Sequence, residues 1–233
     1  MTAARDIWRG VKLAVFDMDG TLYRQGPMRL RMAAELAGDA ALRLSTRRLA
    51  VIKAYRRLRE EAADDERGDF EAHVVSRVAD KCGVSEAEVQ TIVDDWIHRR
   101  PLKHLRACAV PGLHAAFAAL RRSGRTTAVL SDYPVADKLE ALGVEPDLAA
   151  SASSPGVGKM KPNPAGLERL MASVGVAPDE TLMIGDRLDR DVAAAERAGA
   201  RWLLRASQGE PADRRFRDFR SAPFDAIPAL ADA

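Results

Sequence analysis

Short apolar runs alternate with longer segments of helical periodicity through the second half of the chain. Four runs rich in Val, Ile, Leu and Thr predict buried strands at residues 11–16, 126–130, 181–184 and 200–204. A weaker fifth candidate covers residues 147–152. Between the later runs, four segments with apolar residues at helical spacing end near glycines: 111–123, 135–142, 164–174 and 191–198. Alternation of this kind is typical of βαβ units and predicts an α/β fold with a parallel sheet.

Residues 24–106 have a different pattern, in which helical periodicity predominates and strand signals are few. It predicts four helices near residues 28–37, 42–61, 70–82 and 85–99, with a break around residues 62–69. Ser85 followed by Glu88 is a capping box, which marks a helix start. We therefore predict a helical domain, residues 24–106, inserted into a core domain of residues 1–23 and 107–233. The polar tail, residues 207–233, is expected to be only partly ordered and to hold one short final helix.

Composition narrows the class of protein. The chain has 233 residues and a net charge of +2, close enough to neutral to give no nucleic-acid footprint. The N-terminus lacks the apolar segment of a signal peptide, and no apolar run approaches the ~20 residues that a membrane span needs. Four scattered histidines and two cysteines predict no metal cluster of those residues. We expect a cytoplasmic protein that binds neither nucleic acid nor membrane.

The first candidate chemistry lies in the segment Asp17–Thr21 (DMDGT), directly after the first predicted strand. Side chains alternate along a strand with a period of two, so Asp17 and Asp19 can face one pocket. One carboxylate can attack phosphorus while the other, protonated, donates to the leaving oxygen. The alternative is an ordinary strand-end turn, in which Asp and Gly are common. The full DMDGT after a buried strand favours chemistry.

Two further carboxylates follow the strand at 181–184. A carboxylate and a phosphate repel each other, so the pocket needs a cation to bring them together. Asp186 and Asp191 are oxygen ligands of the kind that suits Mg²⁺. Asp189 lies in the same turn but is a weaker candidate, because its placement relative to the next helix is less clear. Asp191 also fits the N-cap of that helix, and it can serve both roles.

Two residues of the second half could bind a phosphoryl group. Ser131 closes the strand at 126–130, and Lys161 lies in a loop (KPNP) ahead of a helix. Taken alone, Ser131 would be interpreted as a turn residue and Lys161 as a solvated lysine. Their assignment to phosphate binding therefore depends on the other candidate residues of the site.

The segment Gly156-Val157-Gly158-Lys159 superficially suggests a P-loop but lacks its spacing, and we exclude it.

These elements, in this order, closely resemble the motifs of the haloacid dehalogenase superfamily of phosphohydrolases. Asp17–Thr21 is similar to the first motif, Ser131 to the second, Lys161 to the third and Gly185–Asp191 to the fourth. Lys159 is an alternative for the third motif, although the Lys-Pro pairing favours Lys161. The resemblance covers essentially the whole chain. It implies a three-layer, Rossmann-like parallel sheet with an inserted all-helical cap between the first and second motifs.

The resemblance also implies residue roles. Asp17 would be the nucleophile and Asp19 the general acid, then base. Phosphate would be bound by Thr21, Ser131 and Lys161. Magnesium would be held by the Asp17 carboxylate, the Asp19 backbone carbonyl and Asp186, with support from Asp191. Because dehalogenases of the family usually lack a carboxylate at the position of Asp19, ester hydrolysis is favoured over dehalogenation.

The function expected from this resemblance is Mg²⁺-dependent hydrolysis of a phosphorylated small molecule through an aspartyl-phosphate. The first alternative is a phosphomutase resembling β-phosphoglucomutase, and a non-catalytic binding protein comes last. Basic residues of the insertion could meet an anionic substrate, although a solvated helix face is the favoured interpretation. They are Arg43, Arg47, Arg48, Lys53, Arg56, Arg57 and Arg59.

Overall fold

The computed structural model describes residues 6–63, 70–206 and 214–230. The chain forms two compact units. One combines Met1–Arg24 with Ala109–Ala233, and the other is Gln25–Cys108. The predicted insertion at 24–106 and its role as a cap stay predictions.

The first unit contains a six-stranded sheet in which every pair of neighbours is parallel. Its strands are β1 Leu13–Phe16, β2 Thr126–Ser131, β3 Leu148–Ser151, β4 Thr181–Gly185, β5 Arg201–Arg205 and β6 Arg215–Phe216. All residues of β1 and β4 are buried, which explains their continuous apolar sequence. All four strong strand predictions and the weaker candidate at 147–152 correspond to strands.

Strand order decides where polar residues meet. The order is β3-β2-β1-β4-β5-β6. After β1 the chain therefore adds β2 and β3 on one side of β1, and it then returns to add β4, β5 and β6 on the other side. This is the order of the Rossmann fold, and ligands in such sheets bind beyond the carboxyl ends of strands where the order reverses. The predicted Rossmann-like α/β class is confirmed. The ends of β1, β2 and β4 therefore share one edge of the sheet.

Helices account for most of the remaining structure. They are α1 Gln25–Arg43, α2 Arg47–Ala62, α3 Phe70–Cys82, α4 Glu86–Val93, α5 Leu102–Cys108, α6 Leu113–Arg122, α7 Ala136–Leu142, α8 Ala165–Val174 and α9 Ala193–Arg197. Two segments have π-helical geometry: Asp94–Arg99 after α4 and Leu188–Val192 before α9. Between β-strands, α7, α8 and α9 occupy the segments that periodicity predicts. Leu167, Leu170 and Met171 of α8 pack in the core beside β1 and β2.

The helical unit, Gln25–Cys108, differs from its prediction in several ways, among them that the helix predicted to begin at residue 42 begins at Arg47. The first helix extends to Arg43, six residues beyond the predicted end, and α5 has no counterpart among the predicted helices. Arg59 is not part of a solvated face, because it is 3% exposed and pairs with Glu71. Its guanidinium carbon lies 5.0 Å from the centre of the Phe70 ring. Most of the predicted break at 62–69 lies outside the described residues.

Residues 214–230 of the C-terminal tail are packed more closely than their polar composition predicts. Residues 214–230 include β6, and the aromatic rings of Phe216, Phe219 and Phe224 are almost fully buried. Phe219 and Phe224 pack against Phe16 of β1, and Phe224 also packs against Trp8. Phe216 packs against the other two rings of this segment. The sequence did not predict this packing, because isolated aromatic residues in a polar segment give no periodic signal. No α-helix lies within the described residues 214–230, and residues 207–213 and 231–233 lie outside the described range.

Candidate active site

The loop after β1 directs two carboxylates into the end of the sheet. Asp17 continues the strand, since its backbone N–H donates to the Ile184 carbonyl of β4 at 2.8 Å. Its side chain is buried. The chain then turns at Gly20, where φ is +110°. A Cβ at that position would lie 1.9 Å from Asp186 Oδ2, so only glycine lets this loop approach Asp186 so closely.

Lys161 links the residues that follow three different strands. Its Nζ lies 2.5 Å from Asp17 Oδ1 and 2.6 Å from Asp191 Oδ1. The lysine is 3% exposed, and its backbone N–H donates to Asp132 Oδ1 at 2.8 Å. The loop that carries Lys161 is therefore tied to the end of β2.

Asp191 is held on both of its carboxylate oxygens. Oδ1 meets Lys161, while Oδ2 accepts hydrogen bonds from the backbone N–H groups of Asp186 and Arg187, each at 3.0 Å. Gly185 makes this possible, because a Cβ there would lie 2.2 Å from the Asp191 Cβ. The Asp191 side chain thus ties the turn after β4 to the helical segment Leu188–Val192 that follows it.

Asp17, Asp186 and Asp191 form a group that could hold a metal ion. One carboxylate oxygen from each lies within 4.8 Å of the others. Asp17 Oδ2 and Asp186 Oδ1 are buried and have no hydrogen-bond partner among the described residues. Buried polar atoms in native proteins nearly always have partners, so these two oxygens point to a ligand.

The charges of this group explain its acid–base behaviour. Lys161 contacts Asp17 and Asp191, and Asp186 is the third carboxylate of the group. Burial, followed by the charge of Asp191, raises the pKa of Asp17 well above its usual value. Burial and Asp191 likewise raise the pKa of Asp186 to about 6. Although burial alone would lower it, the pKa of Lys161 is raised well above its usual value by Asp17 and Asp191. The fully ionised group carries an excess of two negative charges, which one divalent cation would neutralise.

Asp19 has a separate set of partners. Lys138 Nζ lies 2.6 Å from Asp19 Oδ1, and the Tyr23 hydroxyl donates to the same oxygen. The Ser131 hydroxyl lies 3.2 Å from Oδ2. Burial alone would raise the pKa of Asp19, but these partners outweigh it and the pKa is lowered. Burial beside Asp19 raises the pKa of Tyr23, so the phenol keeps its proton.

Most of the predicted site residues come together at this edge of the sheet. Contacts join Asp17, Lys161 and Asp191 in one group and Asp19 with Ser131 in the next. Thr21 is buried within the same loop, and its hydroxyl has no hydrogen-bond partner among the described residues. Asp189 instead has an exposed side chain that pairs with Arg187 at 2.7 Å.

Sequence reasoning missed Lys138, Tyr23 and Arg205. Lys138 could have been found, because it falls on the apolar face of α7 with Leu139 and Leu142, where lysine is rare. Arg205 ends β5, and its guanidinium donates to the Gly20 carbonyl at 2.5 Å. No local pattern in the sequence distinguishes Tyr23 or Arg205.

The fold and the site together define a class of protein: a Rossmann-type parallel sheet with a carboxylate-rich site where the strand order reverses. Comparisons with known proteins agree with this class. Residues 11–199 match the family described as haloacid dehalogenase-like hydrolase. The chain is 30% identical over 193 residues to a phosphoglycolate phosphatase of Rhodospirillum rubrum, covering 81% of this chain and 76% of that protein. It is 28% identical over 201 residues to a glyceraldehyde 3-phosphate phosphatase of Methanopyrus kandleri, covering 81% of each.

Solved structures share the fold. A 2-haloacid dehalogenase from Pseudomonas syringae superposes with a TM-score of 0.61 at 21% identity, covering 89% of this chain and 94% of that one. At that level of identity the likeness concerns the fold alone.

The chain belongs to the haloacid dehalogenase-like hydrolases. The prediction of a phosphatase-type hydrolase is confirmed at this level, since the family is one of hydrolases and the matching curated relatives are phosphatases. None of the helices in the described part of the chain combines the length and apolar content that a membrane span requires.

Proposed function

We propose that this protein hydrolyses a phosphorylated small molecule with the help of Mg²⁺, through an aspartyl-phosphate on Asp17. One observation carries the proposal. Three buried or half-buried carboxylates and one lysine meet at the end of β1, and two of the carboxylate oxygens have no partner among the described residues. This excess of buried negative charge is costly unless a cation neutralises it, and a cation is also what an anionic substrate needs to approach Asp17.

The described donor set fits Mg²⁺. Asp17 Oδ2 and Asp186 Oδ1 would be the carboxylate ligands, with the Asp19 backbone carbonyl as a third oxygen. Asp191 would support the ion indirectly, because its two oxygens already bind Lys161 and the amides of the β4 turn. The bound ion would neutralise charge and polarise the phosphoryl group.

The chain's own residues would carry the two chemical steps. Asp17 attacks phosphorus, so an Asp17–phosphorus bond forms as the ester bond breaks. Asp19 gives a proton to the leaving oxygen in this first step and takes one from water in the second. Water then displaces Asp17 and releases inorganic phosphate. Lys161, Ser131 and Thr21 would bind the oxygens of the phosphoryl group.

The substrate class rests on the relatives. Two of them are named for phosphoglycolate and glyceraldehyde 3-phosphate, which are small phosphate monoesters. We propose a substrate of the same class, and the helical unit is our candidate for the part that recognises it. No observation in the described residues favours a phosphomutase, which stays the alternative raised by the sequence.

Replacement of Asp17 by Asn tests the nucleophile. We expect D17N to fold normally and to lose nearly all hydrolysis of p-nitrophenyl phosphate, because an amide cannot form the phosphoenzyme. The matched control is D189N, which removes an exposed carboxylate from the same region and should keep turnover near that of the wild type.

Removal of metal tests the role of Mg²⁺. Treatment with EDTA should abolish hydrolysis of p-nitrophenyl phosphate by the wild type, and added Mg²⁺ should restore that hydrolysis. Retention of activity by D17N, or activity without metal, would contradict the proposal.

A further inference from the structure

Lys138 is a buried cation whose position is costly. It lies on the apolar face of α7 beside Leu139 and Leu142, and it is 6% exposed. A leucine at this position would pack against the same face without the cost of burying a charge. The lysine therefore needs a specific partner, and that partner is Asp19, at 2.6 Å.

Three partners of Asp19 come from three different elements. Tyr23 lies in the loop after β1, Ser131 ends β2, and Lys138 belongs to α7. Lys138 and Tyr23 both meet Oδ1, whereas Ser131 meets Oδ2. The ammonium of Lys138 also lies 5.2 Å from the centre of the Tyr133 ring, which limits its freedom. Groups from separate elements thus fix the plane of the carboxylate.

Each aspartate of the DMDGT segment has a lysine of its own. Lys161 contacts Asp17, and Lys138 contacts Asp19. The two carboxylates are only two residues apart in one turn, so a single lysine between them could attract either one. With two lysines, each carboxylate has a fixed direction.

We propose that Lys138, together with Tyr23, is a positioning residue that orients the Asp19 carboxylate for proton transfer to the leaving oxygen. The inference rests on the function proposed above. Lys138 itself exchanges no proton: the proton on Asp19 passes to the leaving oxygen as the ester bond breaks. Water then returns a proton to Asp19 as it attacks the phosphoenzyme.

The test uses two substrates of nearly equal size that differ in leaving group. Nitrophenolate leaves p-nitrophenyl phosphate with little need for a proton, whereas phenolate, a stronger base, leaves phenyl phosphate with more help from an acid. The comparison uses kcat/KM, which reports the first irreversible step and excludes phosphoenzyme hydrolysis, a step common to both substrates. For K138M we expect kcat/KM to fall about 100-fold on phenyl phosphate and about 10-fold or less on p-nitrophenyl phosphate, within the range of acid–base catalysis.

Three further variants complete the design. K12M removes a lysine that pairs with Glu180 at 2.5 Å outside the site, and it should change neither rate. K138R should recover part of the loss on phenyl phosphate. Tyr23→Phe, which keeps the ring but removes the hydroxyl, should also affect phenyl phosphate more than p-nitrophenyl phosphate, so it keeps the test decisive if K138M fails to fold.

The outcomes separate this inference from the proposed function. An equal loss on both substrates, or none, in folded K138M and Tyr23→Phe would overturn the positioning role while leaving the phosphatase intact. A wild-type protein that hydrolyses neither substrate, or a D17N variant with full activity, would overturn the proposed function and the inference with it.

Discussion

Gly20 is the residue at which the loop after β1 meets the turn after β4. Its carbonyl accepts a hydrogen bond from Arg205, and its Cα faces the carboxylate of Asp186. Two separate physical demands exclude other residues: the positive φ of +110° and the absence of space for a Cβ. The approach of Asp17 to Asp186 depends on both.

A pair of glycine variants separates these demands. Gly20→Ala should abolish phosphatase turnover and lower stability by more than the roughly 1–3 kcal/mol that backbone strain alone costs, because the methyl group displaces Asp186. Gly10→Ala is the control, since Gly10 has a φ of +70° but no atom within 4 Å of the position that a methyl group would take. It should lose stability only and keep its turnover. Thermal unfolding and p-nitrophenyl phosphate hydrolysis measure both quantities, and an active Gly20→Ala would contradict this account.

At the scale of elements, helix starts differ in how well the sequence specifies them. At the start of α4, the Ser85 hydroxyl accepts a hydrogen bond from the Glu88 N–H at 3.1 Å, as the capping box predicts. At the start of α2, Thr46 has a residue type suited to capping, but its side chain makes no capping hydrogen bond. The N-cap side chain thus stabilises the start of α4, whereas Thr46 makes no such contribution at the start of α2.

These two positions give a matched pair of substitutions. Ser85→Ala should lower the free energy of unfolding of the helical unit by about 1 kcal/mol, because it removes a partner of an end N–H. Thr46→Ala should change it by no more than about 0.5 kcal/mol. Urea denaturation followed by circular dichroism measures both. Equal effects at the two positions would show that capping does not decide the stability of these helices.

Elements were predictable where a periodic signal spans the whole segment. The buried strands β1 and β4 and the amphipathic helix α8 meet that condition, and their predicted ranges agree with the structure to within about two residues. The two-residue strand β6 is too short to have a period. Residues 102–108, which form α5, follow a proline after a predicted helix and give too little signal of their own.

At the scale of the molecule, distant parts of the chain complete one core. Trp8 donates its indole N–H to the Pro223 carbonyl at 2.7 Å, and its ring packs against Phe224 at 5.4 Å. Phe224 also contacts Phe216 and Phe219, with ring centres 4.9 and 4.8 Å apart. The C-terminal residues 214–230 are therefore part of the sheet-containing unit rather than an appendage.

Removal of one ring tests this conclusion. Phe224→Ala should lower the free energy of unfolding by about 3–5 kcal/mol, the usual cost of truncating a buried phenylalanine. Leu188→Ala, in the same unit, removes a large apolar side chain that is 55% exposed and should cost about 0.5 kcal/mol or less. Denaturant unfolding of the full-length variants gives both values. A small effect of Phe224→Ala would mean that the tail adds little to the core.

The sequence by itself determined the parallel α/β fold and the order of the motif residues along it. Apolar periodicity is a local property, and the carboxyl ends of neighbouring parallel strands must share an edge. Only the tertiary structure decided which lysine meets which aspartate. The pairs Lys161–Asp17 and Lys138–Asp19 join positions more than a hundred residues apart, and such contacts depend on strand order and loop geometry. The burial of Phe216, Phe219 and Phe224 was decided in the same way, by long-range packing that no local pattern records.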